Sequence, residues 1–201
     1  MLFRSEQALL ADCSRQARAA LAPHFPLLAA LPVTVHAWPA QAPGADGDLY
    51  NAGRSSGRII LIQNIRLLIR QNRLRTVLLH EFSHLALATL GRSALPLWLE
   101  EGCALYYSGE RIQPLQPFPA EIRSLTELST ALTRAAARGG FSGWQALEPL
   151  YGRALRITGF LARDQERFLP FLSDLKQGAP FAPTLARHYG LTATALWRRH
   201  E

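Results

Sequence analysis

The chain has 201 residues, 48% of them hydrophobic, which is enough for one ordinary domain with a substantial core. Its net charge is +7 and its pI about 10.2, yet the basic residues, nearly all Arg, are spread along the chain and form no single run. No stretch reaches the eighteen or so uninterrupted apolar residues of a membrane span, Met1–Gln7 does not have the form of a secretory signal, and Cys13 and Cys103 are too few and too distant for a disulfide framework. The expectation is a cytoplasmic protein without a membrane span.

Ala8, Leu9, Ala11, Ala19, Ala20 and Leu21 recur at helical spacing between Ser5 and Leu21, and Pro23 and Pro26 end the segment, which predicts a helix laid over a sheet. Val33–Trp38 alternates and is rich in β-formers, a first strand; Pro39–Asp48 is a turn-rich loop. Leu49–Arg54 is a candidate second strand and Arg58–Gln63 a third with a buried apolar run. His36, inside the first strand, has no metal-binding partner at useful spacing and is read as structural.

From about Asn72 to Leu90 the chain reads as a long helix, apolar on almost every side through Val77, Leu78, Leu79, Phe82, Leu85 and Leu87. It contains His80-Glu81-Phe82-Ser83-His84. Histidines four apart lie one above the other on a helix, so both imidazoles can reach one ion, which is the geometry of a zinc site. Glu81 follows the first of them and sits where its carboxylate can take a proton from water activated by the metal. Two imidazoles and a carboxylate are costly to bury in so apolar a helix unless something satisfies them. A third protein ligand is then needed, and Leu97-Trp98-Leu99-Glu100-Glu101-Gly102-Cys103-Ala104 supplies Glu101, separated from His84 by sixteen residues. Gly102 and Ala104 are small enough for this second helix to approach the first. Cys103 points ~200° away from Glu101 around the helix and is read as packing.

Gly91 is a candidate C-cap of the first of these helices; Pro96 opens the second, which should end near Gly109. Residues 111–119 hold three prolines and mark a lobe boundary. Ile122, Leu125, Leu128 and Leu132 give an amphipathic helix broken at Gly139-Gly140, followed by a short turn at Phe141–Trp144 and a further helix at Glu148–Leu155. Asp164 can cap a helix running to Gly178. The tail, Pro183 to Arg199, reads as a helix, a glycine turn and a Thr-capped helix ending in Arg198-Arg199, the pattern of a helix-turn-helix or of the helices that close a helical lobe.

An H-E-x-x-H followed by W-L-x-E-G-x-A resembles the signature of gluzincin metallopeptidases, the group that includes thermolysin, the aminopeptidase N type enzymes and the compact peptidase MA-like domains. The resemblance covers most of the chain from Val33 onward, and its specific parts are the pentad and the W-L-x-E-G segment. It implies one Zn²⁺ per chain held by His80, His84 and Glu101, with Glu81 as general base and Glu100 outside the site. It also implies a tyrosine on a downstream helix that faces the metal, for which Tyr151 is the candidate. There its phenol would stabilise the oxyanion of the tetrahedral intermediate, the alternative being an ordinary buried tyrosine. His188 is considered for the same role and set aside on its neighbours. The strand ahead of the zinc helix, near Tyr50-Asn51-Ala52-Gly53, either pairs with the backbone of an extended substrate or is a plain hairpin arm. Relatives often carry a carboxylate a turn past the third ligand that orients a histidine; Leu105 stands at that place here, so such a partner has to come from elsewhere.

The fold expected is α+β, one peptidase MA-like domain over 1–201. A small mixed or antiparallel sheet lobe packs on the H-E-x-x-H helix (about 1–110), an all-helical C-terminal lobe follows (about 120–201), and the cleft lies between them. The function expected is zinc-dependent hydrolysis of peptide bonds in a peptide or unfolded protein. Endopeptidase-like cutting is the reading, because no motif for capturing a free amino terminus is present. The rival is a DNA-associated or regulatory protein that uses the basic C-terminal helices on a metal-binding but non-catalytic scaffold, with nucleic acid the less favoured partner.

Overall fold

The computed structural model describes residues 3–37, 53–138 and 140–201. Three strands form one sheet. β1 (Thr34–Ala37) runs parallel to β3 (Ile59–Ile62), with Thr34 opposite Ile59, and β2 (Gly53–Ser56) runs antiparallel along the other edge of β3, with Gly53 opposite Ile62. Gly57, at φ +60°, makes the two-residue turn between β2 and β3. β3 is therefore the central strand, and its alternation sends Ile60 and Ile62 into the core. The expected strands at Val33–Trp38 and Arg58–Gln63 are present in shorter form. Of the strand expected at Leu49–Arg54, residues 49–52 lie outside the described residues, as do Trp38 and the loop 39–48; the observed β2 starts at Gly53.

Around the sheet are α1 (Arg4–Leu21), α2 (Pro26–Ala30), α3 (Ile65–Arg70), α4 (Leu74–Thr89) and α5 (Leu97–Ser108). Beyond them come α6 (Leu125–Arg138), α7 (Gly140–Leu161), α8 (Gln165–Lys176), α9 (Phe181–Tyr189) and α10 (Ala193–Arg198). The architecture is α+β, a small mixed sheet with an all-helical part after it. α4 is the axis. Val77, Leu78, Phe82, Leu85 and Leu87 are buried on different sides of it, and α1, α2, α3, α5, α8 and β2 all pack against it. α5 lies between α4 and α7, so one continuous core joins Leu78 and Phe82 through Trp98 and Leu99 to Leu128 and Ile157. Among the described residues no helix is long and apolar enough to cross a membrane.

Several expectations are corrected. α1 packs chiefly on α4 and also faces β1, Leu10 and Ser14 lining one cleft with Val35 and Ala37. Two short helices, α2 and α3, went unforeseen: each has too few residues to show a period, and Pro26, read as a terminator, opens α2 at its first position. α4 starts two residues later than expected because Asn72 adopts φ +54° and turns the chain between α3 and α4. Gly91 is not a left-handed cap. A Cβ there would lie 2.2 Å from the Lys176 carbonyl oxygen, so its role is to let the end of α8 approach, where Ser93 N–H donates to the same oxygen at 3.0 Å. Phe141–Trp144 is the first turn of α7 and not a loop: a Cβ on Gly143 would come within 3.1 Å of the Ala135 carbonyl, and the close contact with α6 overrides glycine's poor helix propensity. Gly102 faces α7, not α4, since a Cβ there would meet Thr158 Oγ1 at 2.1 Å and the Ala154 carbonyl at 2.8 Å. The expected Asp164 cap is present, its side chain accepting from Arg167 N–H.

Candidate active site

The site is built where α4 meets α5. On α4, His80 and His84 are one turn apart with ring centroids separated by 5.1 Å. From α5, Glu101 reaches towards them: its Oε2 is 3.6 Å from His80 Nε2. One ligand atom from each of His80, His84 and Glu101 can be chosen so that all three lie within 4.8 Å of one another. Donors of a tetrahedral zinc with bonds near 2.1 Å stand about 3.4 Å apart. The His80–Glu101 pair already has that spacing, and side-chain rotation closes the remainder. Two imidazoles and one carboxylate from rigid helices are a donor set that fits a single zinc ion with a position left for solvent.

The outer nitrogens of both rings face carboxylates. His80 Nδ1 is 3.5 Å from Glu110 Oε2, and His84 Nδ1 is 3.7 Å from Glu100 Oε1. Such partners orient a ligating ring and fix its tautomer. Glu110 reaches His80 through the end of α5. Gly109, at φ +68°, donates to Tyr106 O, and Glu110 N–H donates back to Leu105 O, the paired bonds of a Schellman closure that fold the chain over the helix end. Arg73, at the start of α4, holds Glu110 from the other side at 3.2 Å.

Glu81 is 6% exposed, tucked between α4 and the edge strand. A Cβ on Gly53 would lie 2.7 Å from Glu81 Oε1 and 2.8 Å from its Cγ, so glycine is what allows the carboxyl to lie against β2. Burial raises the pKa of Glu81 above the usual carboxylate range; the charges of His80 and His84 and the Ser55 hydroxyl act in the opposite direction. Burial also works against the charge on His80, but contacts with Glu101 and Glu110 outweigh it and push the ring up to about 10 in the metal-free protein. For Glu101 burial is again opposed, by His80 and His84 and by the Tyr151 hydroxyl, and the net shift is downward. Tyr151 is raised by burial and by the surrounding charges of Glu101, Glu110 and Glu81, so its phenol keeps its proton.

These groups line a cleft of about 450 Å³ whose walls are β2 (Gly53, Arg54, Ser55), α4, the first turns of α5, and Tyr151 from α7. The structure thus brings together His80, Glu81, His84, Glu101 and Tyr151, and places the cleft between the sheet and the helical part. Of the proposed substrate-pairing segment only Gly53 is described, and it lines the cleft. His188 is elsewhere, bonded to Asp174 of α8 at 2.7 Å. Cys103 is fully buried, as expected of a packing residue. Sequence reasoning missed Glu110, Glu100 as a partner of His84, and the Gly53–Glu81 contact. Gly109 was the signal for the first; a glycine inside a strand, where backbone and side chain come close, was the signal for the last.

No protein-family model matches the chain, and neither the curated proteins nor the solved structures contain a match to it.

Proposed function

We propose that this protein is a zinc-dependent peptidase of gluzincin type that cuts extended or unfolded polypeptide. The observation that supports this best is the convergence of His80, His84 and Glu101 from two packed helices with the buried Glu81 beside them, in a cleft with a strand edge as one wall. His80, His84 and Glu101 would hold the ion, which when bound polarises the scissile carbonyl and makes water acidic enough to be a nucleophile near neutral pH. Glu81, raised in pKa by its surroundings, accepts a proton from water on its carboxylate and passes it to the leaving amine. The Tyr151 hydroxyl, protonated and facing the same space, donates to the oxygen that becomes negative. β2 is an outer strand whose far edge pairs with no other strand among the described residues. That edge can align a substrate backbone by main-chain hydrogen bonds, which would give cleavage little dependence on side-chain identity.

The nucleic-acid alternative has less behind it. Leu196 and Trp197 of α10 are buried, which commits that helix to packing and leaves Arg198 and Arg199 exposed at its end.

Glu81→Gln tests the proposal. Peptide-library cleavage is expected to fall by at least ~10²-fold while zinc content and melting temperature stay at wild-type levels. Cleavage at the wild-type rate in this variant contradicts the reading.

A further inference from the structure

On the opposite side of α7 from Tyr151 lies an arginine in an unusual setting. Arg153 is 6% exposed, and its Nε and Nη1 are buried without any hydrogen-bond partner. The faces of the guanidinium are covered: its central carbon is 4.1 Å from the Phe118 ring centroid and 5.2 Å from that of Trp197. Aromatic faces stabilise the cation but accept nothing from the N–H groups in its plane. A buried guanidinium with orphaned edge donors is costly unless an acceptor reaches it.

The surroundings deepen the deficit. Arg156, Arg163 and Arg199 gather with Arg153 about His200, whose Nε2 is likewise buried and unpartnered. Phe160 packs on His200 at 5.2 Å, with the guanidinium carbons of Arg199 and Arg163 at 5.2 and 5.9 Å from the same ring. None of these four arginines forms an ion pair with a carboxylate among the described residues, and the one acid that acts on Arg153 is Glu201. Burial and mutual repulsion depress both Arg153 and His200, as expected of a positive cluster short of negative charge.

We propose that this cluster is a binding site for a small tetrahedral oxyanion, phosphate or a compact phosphate ester, held by Arg153 and Arg156 with His200 beside them. A guanidinium edge and flanking cations match the paired oxygens of that class. The orphaned donors lie where α7 meets α10, with the Phe118 ring over one face of the guanidinium and Trp197 near the other. A polymer backbone meets Arg198 and Arg199 at the surface but not Nε of Arg153, which favours a small ligand over nucleic acid.

The test uses the full chain and inorganic phosphate. Thermal melts over a phosphate series, against sodium chloride of equal ionic strength, are expected to show a saturable rise with phosphate alone. Arg156→Gln, at an exposed position, should weaken apparent phosphate affinity by about tenfold or more without unfolding the protein, and Arg153→Met should abolish the response. Should Arg153→Met fail to fold, Arg156→Gln with Arg163→Gln decides the matter. Equal stabilisation by chloride, or a phosphate response unchanged in the Arg156→Gln and Arg153→Met proteins, overturns the proposal. Loss of phosphate binding in a short duplex DNA competition that is itself unaffected by Arg153→Met assigns the anion contact to the surface arginines and equally overturns it.

Discussion

Replacing Gly102 by alanine probes how α5 is seated. The added methyl carbon would stand 2.1 Å from Thr158 Oγ1, 2.8 Å from the Ala154 carbonyl oxygen and 2.9 Å from Thr158 Cβ, and two of those atoms cannot swing away without moving the backbone of α7. Alanine gains ~1 kcal/mol of helix propensity over glycine. Overpacking at a backbone-to-backbone contact costs ~3 kcal/mol or somewhat more, so the net loss is about 2 kcal/mol. At ~2–4 °C per kcal/mol for a chain of this size, the melting temperature should fall by roughly 4–8 °C. Gly159 on α7 is the internal control. A Cβ there meets only Tyr106 Cδ2, at 3.9 Å, an ordinary contact, so Gly159→Ala should be neutral or gain up to ~1 kcal/mol. Thr158→Ala in the Gly102→Ala background removes the nearer clash and should recover part of the loss; because Thr158 Oγ1 is buried without a partner, its removal carries little penalty of its own. Chemical denaturation of the four proteins measures this. A Gly102→Ala protein as stable as Gly159→Ala would refute the packing of α5 against α7 described here.

Two further substitutions address the site. Gly53→Ala pushes a methyl group into Glu81 and should lower kcat/KM for peptide cleavage by ~10²-fold while leaving zinc content unchanged, since the metal ligands are on other elements; steady-state kinetics beside elemental analysis separates the two effects. Glu110→Gln removes the anionic partner of His80 Nδ1 and should weaken zinc binding by ~10–100-fold, measured by competition with a chelating indicator.

The parts of this protein that were legible in its sequence are those where spacing alone carries the physics. His80 and His84 share a face of α4 because four residues are nearly one helical turn, and the need for a third ligand from 97–104 marked α5 as its neighbour. The alternation of 33–38 and the apolar run of 58–63 likewise gave β1 and β3. What was not legible depends on close approach between elements distant in sequence. Gly102 looked like a concession to α4 and is one to α7; Gly91 looked like a cap and accommodates the Lys176 carbonyl; 141–144 looked like a turn and is helical because Gly143 fits against α6. Glu110 was hidden for a different reason. The gluzincin resemblance puts a carboxylate that orients a histidine at the place of Leu105, whereas the chain reverses at Gly109 and returns a glutamate nine residues beyond the third ligand.

The most direct measurement is the zinc affinity of the purified chain and of single alanine variants at His80, His84, Glu101 and, as a comparison, Glu100. One equivalent of zinc per wild-type chain is expected, with affinity reduced more than a hundredfold by each of the first three substitutions and far less by Glu100→Ala. Zinc bound as tightly by Glu101→Ala as by the wild type, or no zinc bound by the wild type, contradicts a metal centre shared between α4 and α5.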